Sequence, residues 1–472
     1  MAKIYTGTYG KDTTDETALV TNLLKYPEIG KKLIQQYPRF SLTYLLEAAG
    51  RNAAEKIIGD HAFEWKMMGR YRKPAIVHTG ETLSASAGGS FDVVIKHGSG
   101  NFGDNLNVND VVRFPSGGTA LVTAVPTPGA SSNTITFRAI DALTDVLVAG
   151  DVIGCIGNAF NQGSLASEVG QNYAYPDTYK NWLTLSRKKT KIMGSDLTDV
   201  TWIESNGHRL WYFTKEQQMT DQFMYELELQ RWYGKKSYAE SGGLVTSADD
   251  YPGDTGTPVT GLPIMGDGLL AQIDSSNQAT YTAGALTEED IVNFIGTLSK
   301  NALNPEGNVF TVFTGTQGRI DFHRAMKDLL VTLGSGSPMF AGKDGGSVSL
   351  GANFSEYNIL GNKMILAYCP VFDDNNLHAS MSSTFDSSNE SGKMVFVDMG
   401  MQNGVSNVEL IAKGAEGFNR SFVKKYVPGM VNPYDYNSMM AANGDDFFEC
   451  QILSESGIIL RNPLSCGILS NS

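Results

Sequence analysis

NGHRLWYFTKEQQMTDQFMYELELQRWYG, residues 206–234, is the stretch whose reading decides the fold. Tyr212, Met219, Phe223 and Leu227 recur at spacings of four and seven, with Phe213, Met224 and Trp232 alongside. That places them on one stripe of a 3.6-residue period. Lys215, Gln218, Asp221, Gln222, Glu226 and Gln230 fill the other side, so the spacing predicts a long, one-sided helix. Asn206 fits its N-cap, and Gly234 fits a left-handed residue at its end. A second start lies at Thr214, where Thr214 and Gln217 fit a capping box. Such a helix would be roughly 30–40 Å long. No residue on it suggests catalysis; it reads as a beam.

Working outward, 472 residues exceed what a single core usually supports, so two or three lobes are expected. A hydrophobic content of 41% is enough for real cores, and 51 glycines promise many turns. The formal charge of -13 argues against a general nucleic-acid coat, whose affinity comes from Lys and Arg on phosphates. That charge is uneven. Residues 23–73 hold ten Lys or Arg against five Asp or Glu, whereas 237–299 hold no Lys or Arg against nine acidic residues. Such asymmetry suggests two surfaces facing different surroundings, or simply solvated faces of one sign. Four scattered cysteines form no Cys-x-x-Cys pair, which excludes a disulfide scaffold and a zinc knuckle as leading readings. The N-terminus shows no hydrophobic signal core, and no apolar run approaches the ~20 residues of a membrane helix, so no membrane role is expected.

Taken in order, residues 1–59 read as short amphipathic helices split by Pro27 and Pro38, including one carrying Leu42, Leu45, Leu46 and Ala49. Pieces of this length cannot bury their faces on one another, so they should pack on something else. After Pro74 the composition turns to short Val-, Ile-, Thr- and Phe-rich runs divided by Gly, Ser, Pro and Asn. The phrases 108–112 (VNDVV) and 148–153 (VAGDVI) nearly repeat. A turn feeding a strand twice suggests a small barrel or sandwich over 90–157. Beyond the long helix, 237–263 read as a surface excursion. Thr287 caps a helix bearing Ile291, Phe294, Ile295 and Leu298; 309–314 read as a buried strand and 319–330 as a helix. Further strands fall at 348–350, 363–367, 394–397 and 408–411, and 447–453 with 458–461 read as a closing hairpin. The class is α+β.

Catalytic signatures fare poorly. The G-x-G-x-x-G at 98–103 follows a strand but precedes another strand, not the helix a dinucleotide site needs. Thr314-Gly315-Thr316-Gln317-Gly318 joins strand to helix but lacks the Lys-Ser/Thr pair of a phosphate loop. The six histidines form no metal pattern, and the pairs Asp249/Asp250, Asp373/Asp374 and Asp445/Asp446 read as loop charges. No catalytic, cofactor-binding or metal residue is assigned. Lys31, Lys32, Arg39, Arg70, Arg72 and Lys73, with Arg187, Lys188, Lys189 and Lys191, are instead candidates for contacts to a neighbouring acidic subunit or to phosphates.

The order of elements, with 150–153, 157–163, 268–273, 313–318, 357–361 and 461–466 as local phrases, resembles the major capsid protein of tailed bacteriophages, the Johnson or Hong Kong ninety-seven type fold. Within it the phrasing is similar to crAss-like gut phages. The resemblance implies an N-terminal arm (1–59) and an E-loop region (60–200) with a β-barrel-like insertion at about 85–165. It further implies a P domain (201–260) with residues 206–234 as spine helix, an A domain (261–440) and C-terminal return strands to P (441–472). It implies self-assembly into hexamers and pentamers around double-stranded DNA, with portal, decoration proteins and a separate scaffold as partners, no cofactor, and a virion location after assembly in the bacterial cytoplasm. The Tyr212, Met219, Phe223 and Leu227 stripe would then pack on the P-domain sheet, and the helix's polar face would look into the shell interior. A Lys/Asn cross-linking pair and a fused N-terminal scaffold are not identifiable. The rivals are a β-rich cytosolic or secreted hydrolase using a carboxylate pair, and an encapsulin-type cellular shell.

Overall fold

The computed structural model describes residues 42–43, 55–67, 74–97, 106–127, 131–162, 176–195, 200–205, 208–240, 243–245, 264–282, 284–302, 308–332, 356–374, 390–402, 405–415, 417–430 and 444–471. The chain divides into two compact units, Lys66–Thr178 and the remainder (Met1–Trp65 with Tyr179–Ser472).

The Lys66–Thr178 unit is β-built. Six strands run in the order Pro74–Ile76, Val152–Asn158, Asp110–Arg113, Thr119–Ala124, Ser132–Ala139, Ser90–Lys96, and Glu81–Ala85 pairs separately with Leu143–Leu147. A bridge between Val77 and Ile95, with His78 N–H donating to Val94 O at 2.8 Å, brings the last strand back to the first and closes the sheet into a small barrel. Period-2 alternation fills it: Ile135, Phe137 and Ala139 point inward from one strand and Val93 and Ile95 from its neighbour, all buried. Phe91, Phe114 and Phe137 meet with ring centroids 5.6–5.7 Å apart.

The near-repeated phrases have one geometry. Asp110 N–H donates to Asn107 O at 3.1 Å while its carboxylate accepts from Asn107 N–H at 2.9 Å. Asp151 does the same with Val148, at 3.0 and 2.7 Å. The residue before each Asp is left-handed, Asn109 at φ 73 and Gly150 at φ 102, which Asn and Gly tolerate best. Each turn launches a strand, and the two strands pair antiparallel. The barrel begins earlier than 90, at Pro74.

The other unit is built on two six-stranded sheets, with smaller strand pairings beside them. In the first, Glu55–Ile58 lies parallel to Val408–Ala415, which pairs antiparallel with Phe447–Leu460, which pairs in turn with Thr184–Met193; Val423–Pro428 also joins Phe447–Leu460. In the second, Val309–Thr314 lies between Asn362–Tyr368 (parallel) and Met394–Asp398 (antiparallel). Helices Glu288–Asn301 and Thr316–Thr332 belong with it; Ile291, Phe294, Ile295, Leu298 and Phe322 share its core with Phe310, Val312 and Phe396.

One expectation is corrected here. Residues 447–461 are no hairpin: Phe447–Leu460 is one 14-residue strand. The Ser454-Glu455-Ser456-Gly457 phrase that reads as a turn is packed straight through, because Glu455 is buried and a Cβ on Gly457 would meet Leu183 Cδ2 and Trp182 O, each at 3.2 Å. The C-terminal strands enter both sheets, Phe447–Leu460 the first. Gly467–Asn471 inserts in the second sheet between Gln278–Tyr281 and Met394–Asp398.

The long helix is Trp211–Tyr233. It starts at neither Asn206 nor Thr214, because His208–Leu210 is a strand paired with Val200–Ser205. Gly234 is not left-handed either. Its backbone is wedged against neighbours: an added Cβ would lie 2.6 Å from Gln230 O and 2.7 Å from Gly266 O. Met219, Phe223 and Leu227 are buried as the stripe requires; Tyr212 lies in the helix, with its side chain outside the described set. The helix is not one-sided. Glu228, off that stripe, is buried too, and Trp232 packs edge-on against Phe313 and Phe372, centroids 5.2 and 5.1 Å away.

Candidate assembly surface

Thr184–Met193 sorts its residues by parity, as a strand between a helix and an open face must. Ser186, Lys188, Thr190 and Ile192 turn toward the long helix: Ser186 Oγ donates to Gln230 Oε1 at 2.9 Å, and Lys188 Nζ pairs with Glu226 Oε1 at 2.6 Å. Leu185, Arg187, Lys189, Lys191 and Met193 are exposed on the opposite face. Lys188 is therefore an internal tie to the helix, which corrects its grouping with its neighbours.

Cross-strand register carries the pattern on. Lys189 faces Gln451, and Gln451 faces Lys425 on the far side, so exposed Lys425 joins the open face. Its neighbours Lys424 and Tyr426 turn to the helix and both bind Glu216, the Tyr426 hydroxyl donating at 2.6 Å. Burial alone would lower the Lys424 pKa; its hydrogen bond and ion pair with Glu216 outweigh that and raise it. Glu216 is thus bound as a carboxylate beneath the sheet.

At the other end of the open face, buried Glu455 lies 2.8 Å from His61 Nδ1, 2.7 Å from Arg420 Nε and 3.5 Å from Lys413 Nζ. His61 comes from the Glu55–Met67 segment, whose Trp65 Nε1 donates to Arg461 O at 3.2 Å. A third buried carboxylate, Glu228, accepts from the backbone N–H groups of Leu42 and Thr43 at 2.9 and 3.2 Å and from Trp232 Nε1 at 3.1 Å. The expectation that residues near Leu42 pack on another element therefore has its partner in the chain's own long helix. Lys31, Lys32, Arg39, Arg70, Arg72 and Lys73 lie outside the described residues.

The residues with catalytic overtones are already engaged. Asp373 accepts Thr316 N–H at 2.9 Å and Thr316 Oγ1 at 2.6 Å, and Ser391 Oγ and O accept the N–H groups of Gln317 and Gly318 at 3.1 and 2.9 Å. The amides a phosphate would need at this helix N-terminus are thereby occupied by protein. Asp374 accepts the Tyr225 hydroxyl, tying the second sheet's lobe to the long helix. Asp249 and Asp250, and the glycine-rich 98–103, lie outside the described residues. Among the described residues, no cluster of His, Cys, Asp and Glu could hold a metal ion, and no helix is long and apolar enough to cross a membrane.

A family model for the Crassvirus major capsid protein matches residues 140–472, a span that contains the long helix and all of the second sheet. This chain belongs to that family. It is a structural shell subunit of a bacteriophage, and its place is the capsid of the virion. No curated protein matches it. Similar solved structures include one from Microbacterium phage Oxtober96 (10% identity, 97% of this chain and 99% of that one, TM-score 0.38). Others are the capsid of Cyanophage P-SCSP1u (7%, 95% and 93%, 0.36) and the holo-SrpI encapsulin complex of Synechococcus elongatus PCC 7942 (13%, 63% and 75%, 0.33). Scores this low decide nothing, and membership rests on the family match.

Of the capsid subunit's residues, sequence reasoning missed Lys425, Glu216, Glu228 and Glu455. Alternation was the available signal for the first: in LSRKKTKIM and VKKYV, period 2 separates Lys188 and Lys424 from Arg187, Lys189, Lys191 and Lys425. The buried glutamates leave no local signal, because their partners lie far away in the chain.

Proposed function

We propose that the chain builds a closed icosahedral shell of pentamers and hexamers around packaged double-stranded DNA. In this reading 1–59 act as an arm across neighbours, 60–200 as an E-loop region carrying the barrel, 201–260 as the P domain, 261–440 as the A domain and 441–472 as strands shared by both sheets. Portal, decoration proteins and a separate scaffold are the further partners, and Arg187, Lys189 and Lys191 are contact residues. The observation that carries the reading is the family match over 140–472. The anchoring of Leu42 and Thr43 on Glu228 supports the arm: it fixes one point of that segment on the long helix. Elements that bury little of themselves gain stability by association.

The test is cryo-electron microscopy of particles from cells expressing the chain with its phage partners. Closed shells with five- and six-fold clusters and nuclease-protected DNA are expected. Open tubes, or shells lacking five-fold vertices, would contradict the geometry. Deleting residues 1–37 should abolish particles while leaving the second sheet folded, and normal particles from that deletion would contradict the arm's role.

A further inference from the structure

The open face of the first sheet carries more cations than acids. Arg187, Lys189 and Lys191 sit at alternate positions, roughly 6.5 Å apart at ordinary strand rise, and Lys425 lies across Gln451 from Lys189. Among the described residues, no carboxylate pairs with Arg187, Lys189 or Lys425, and the Lys191 ammonium sits 3.5 Å over the Phe447 ring. Glu449 is the acid opposite Lys191, and Glu455 is taken up by His61, Arg420 and Lys413. Like charges this close repel, a cost that a docked anion would reverse. In a chain of formal charge -13, such a concentration of cations is a directed feature.

Exposed Leu185 and Met193 bracket the cations along the same strand. A phosphate backbone offers nothing for these side chains, whereas a protein surface offers both carboxylates and apolar contact. The chain itself supplies such carboxylates. Residues 237–299 contain no Lys or Arg and nine acidic residues. Within them Glu288 and Glu289 open the helix Glu288–Asn301 without a described ion-pair partner, while Asp290 is used in the capping box with Thr287. A contact between two different patches of one chain type is heterologous, the kind that closes rings.

We infer that the Arg187/Lys189/Lys191/Lys425 face docks the Glu288/Glu289 end of the helix Glu288–Asn301 of a second copy. The inference rests on the shell reading and sharpens it by naming the two patches. It is tested by particle yield from cells expressing the full-length chain with its phage partners. Wild type serves as control, against Arg187→Glu/Lys189→Glu/Lys425→Glu, against Glu288→Lys/Glu289→Lys, and against all five changes together. Circular dichroism melts of each variant separate misfolding from lost contact. Like-charge juxtaposition should cut particle yield about a hundredfold or more in each single-patch variant at unchanged melting temperature, and the combined variant should recover most of it. Wild-type yield from the triple variant would overturn the contact, as would failure of the combined variant to recover. Full yield with reduced nuclease-protected DNA would assign the face to the genome instead. A wild-type chain that forms no particles would bring down the shell reading, and this contact with it.

Discussion

Glu228 accepts the backbone N–H of Leu42 at 2.9 Å across 186 positions of sequence. The same carboxylate takes Thr43 N–H and Trp232 Nε1, and no part of Glu228 is exposed. A buried carboxylate is stable only when its lone pairs are filled, and here the N-terminal segment fills them. Glu228→Ala removes the acceptor of four buried donors, the Thr43 hydroxyl being the fourth, at about 1–3 kcal/mol for each left unpaired. A loss of about 3 kcal/mol or more in urea unfolding is expected, with faster protease cleavage within 1–59. Glu228→Gln, which keeps an acceptor, should lose about half as much. An alanine variant within about 0.5 kcal/mol of wild type would contradict the anchor.

Gly234 ends the long helix through close approach. With Gly266 O only 2.7 Å from a hypothetical Cβ, Gly234→Ala must move backbone, at about 3 kcal/mol. Gly154, where a Cβ meets nothing within 4 Å, is the control, and Gly154→Ala should be near neutral. Equal melting temperatures for the two variants would refute the packing account.

The cysteines should separate by reactivity. Burial pushes the Cys450 thiol up to about 11, with the Glu216 charge adding to it, and burial pushes Cys466 to about 12. Cys369 is also buried, and Cys155 is half-buried in the barrel. Because the thiolate is the nucleophile, an aromatic disulfide reagent at pH 8 should modify Cys155 at least about tenfold faster than the rest. The other three should follow only on unfolding; rapid reaction of all four in the native chain would contradict the burial.

His323 gives a pH dependence. Burial, with the Arg319 charge assisting, holds its folded pKa below the ordinary 6.5, and its Nδ1 lies 2.9 Å from the Tyr357 hydroxyl. The unfolded chain therefore binds this proton more readily than the folded one. The resulting stability is fully present above pH 6.5 and is lost as pH falls through the lower folded value. Melting temperature should drop between pH 7 and pH 5 by a component that His323→Phe removes. An identical drop in that variant would assign the acid sensitivity elsewhere.

How far the residues alone could be read is a matter of range. The stripe Met219, Phe223 and Leu227, the strand 309–314 and the paired turns before Asp110 and Asp151 follow from periodicity or local turn chemistry, and the coordinates agree. What failed was non-local. Gly234 reads as a cap until Gly266 and Gly268 are beside it, and Gly457 reads as a turn until Trp182 packs on it. The helix's carboxylates give no local sign of their distant partners: Lys188, Lys424 and the Leu42 backbone reach Glu226, Glu216 and Glu228 from far along the chain. In the basic run 187–191, strand parity is legible and separates Lys188 from Arg187, Lys189 and Lys191, where charge density alone groups them.

The central claim is that this 51.1 kDa chain is a self-assembling shell subunit. Sedimentation velocity of the purified chain across a concentration series tests it most directly. The account predicts a reversible shift from monomer to capsomer-sized and closed-particle species as concentration rises. A single 51.1 kDa species at every concentration, with or without the phage partners, would contradict it.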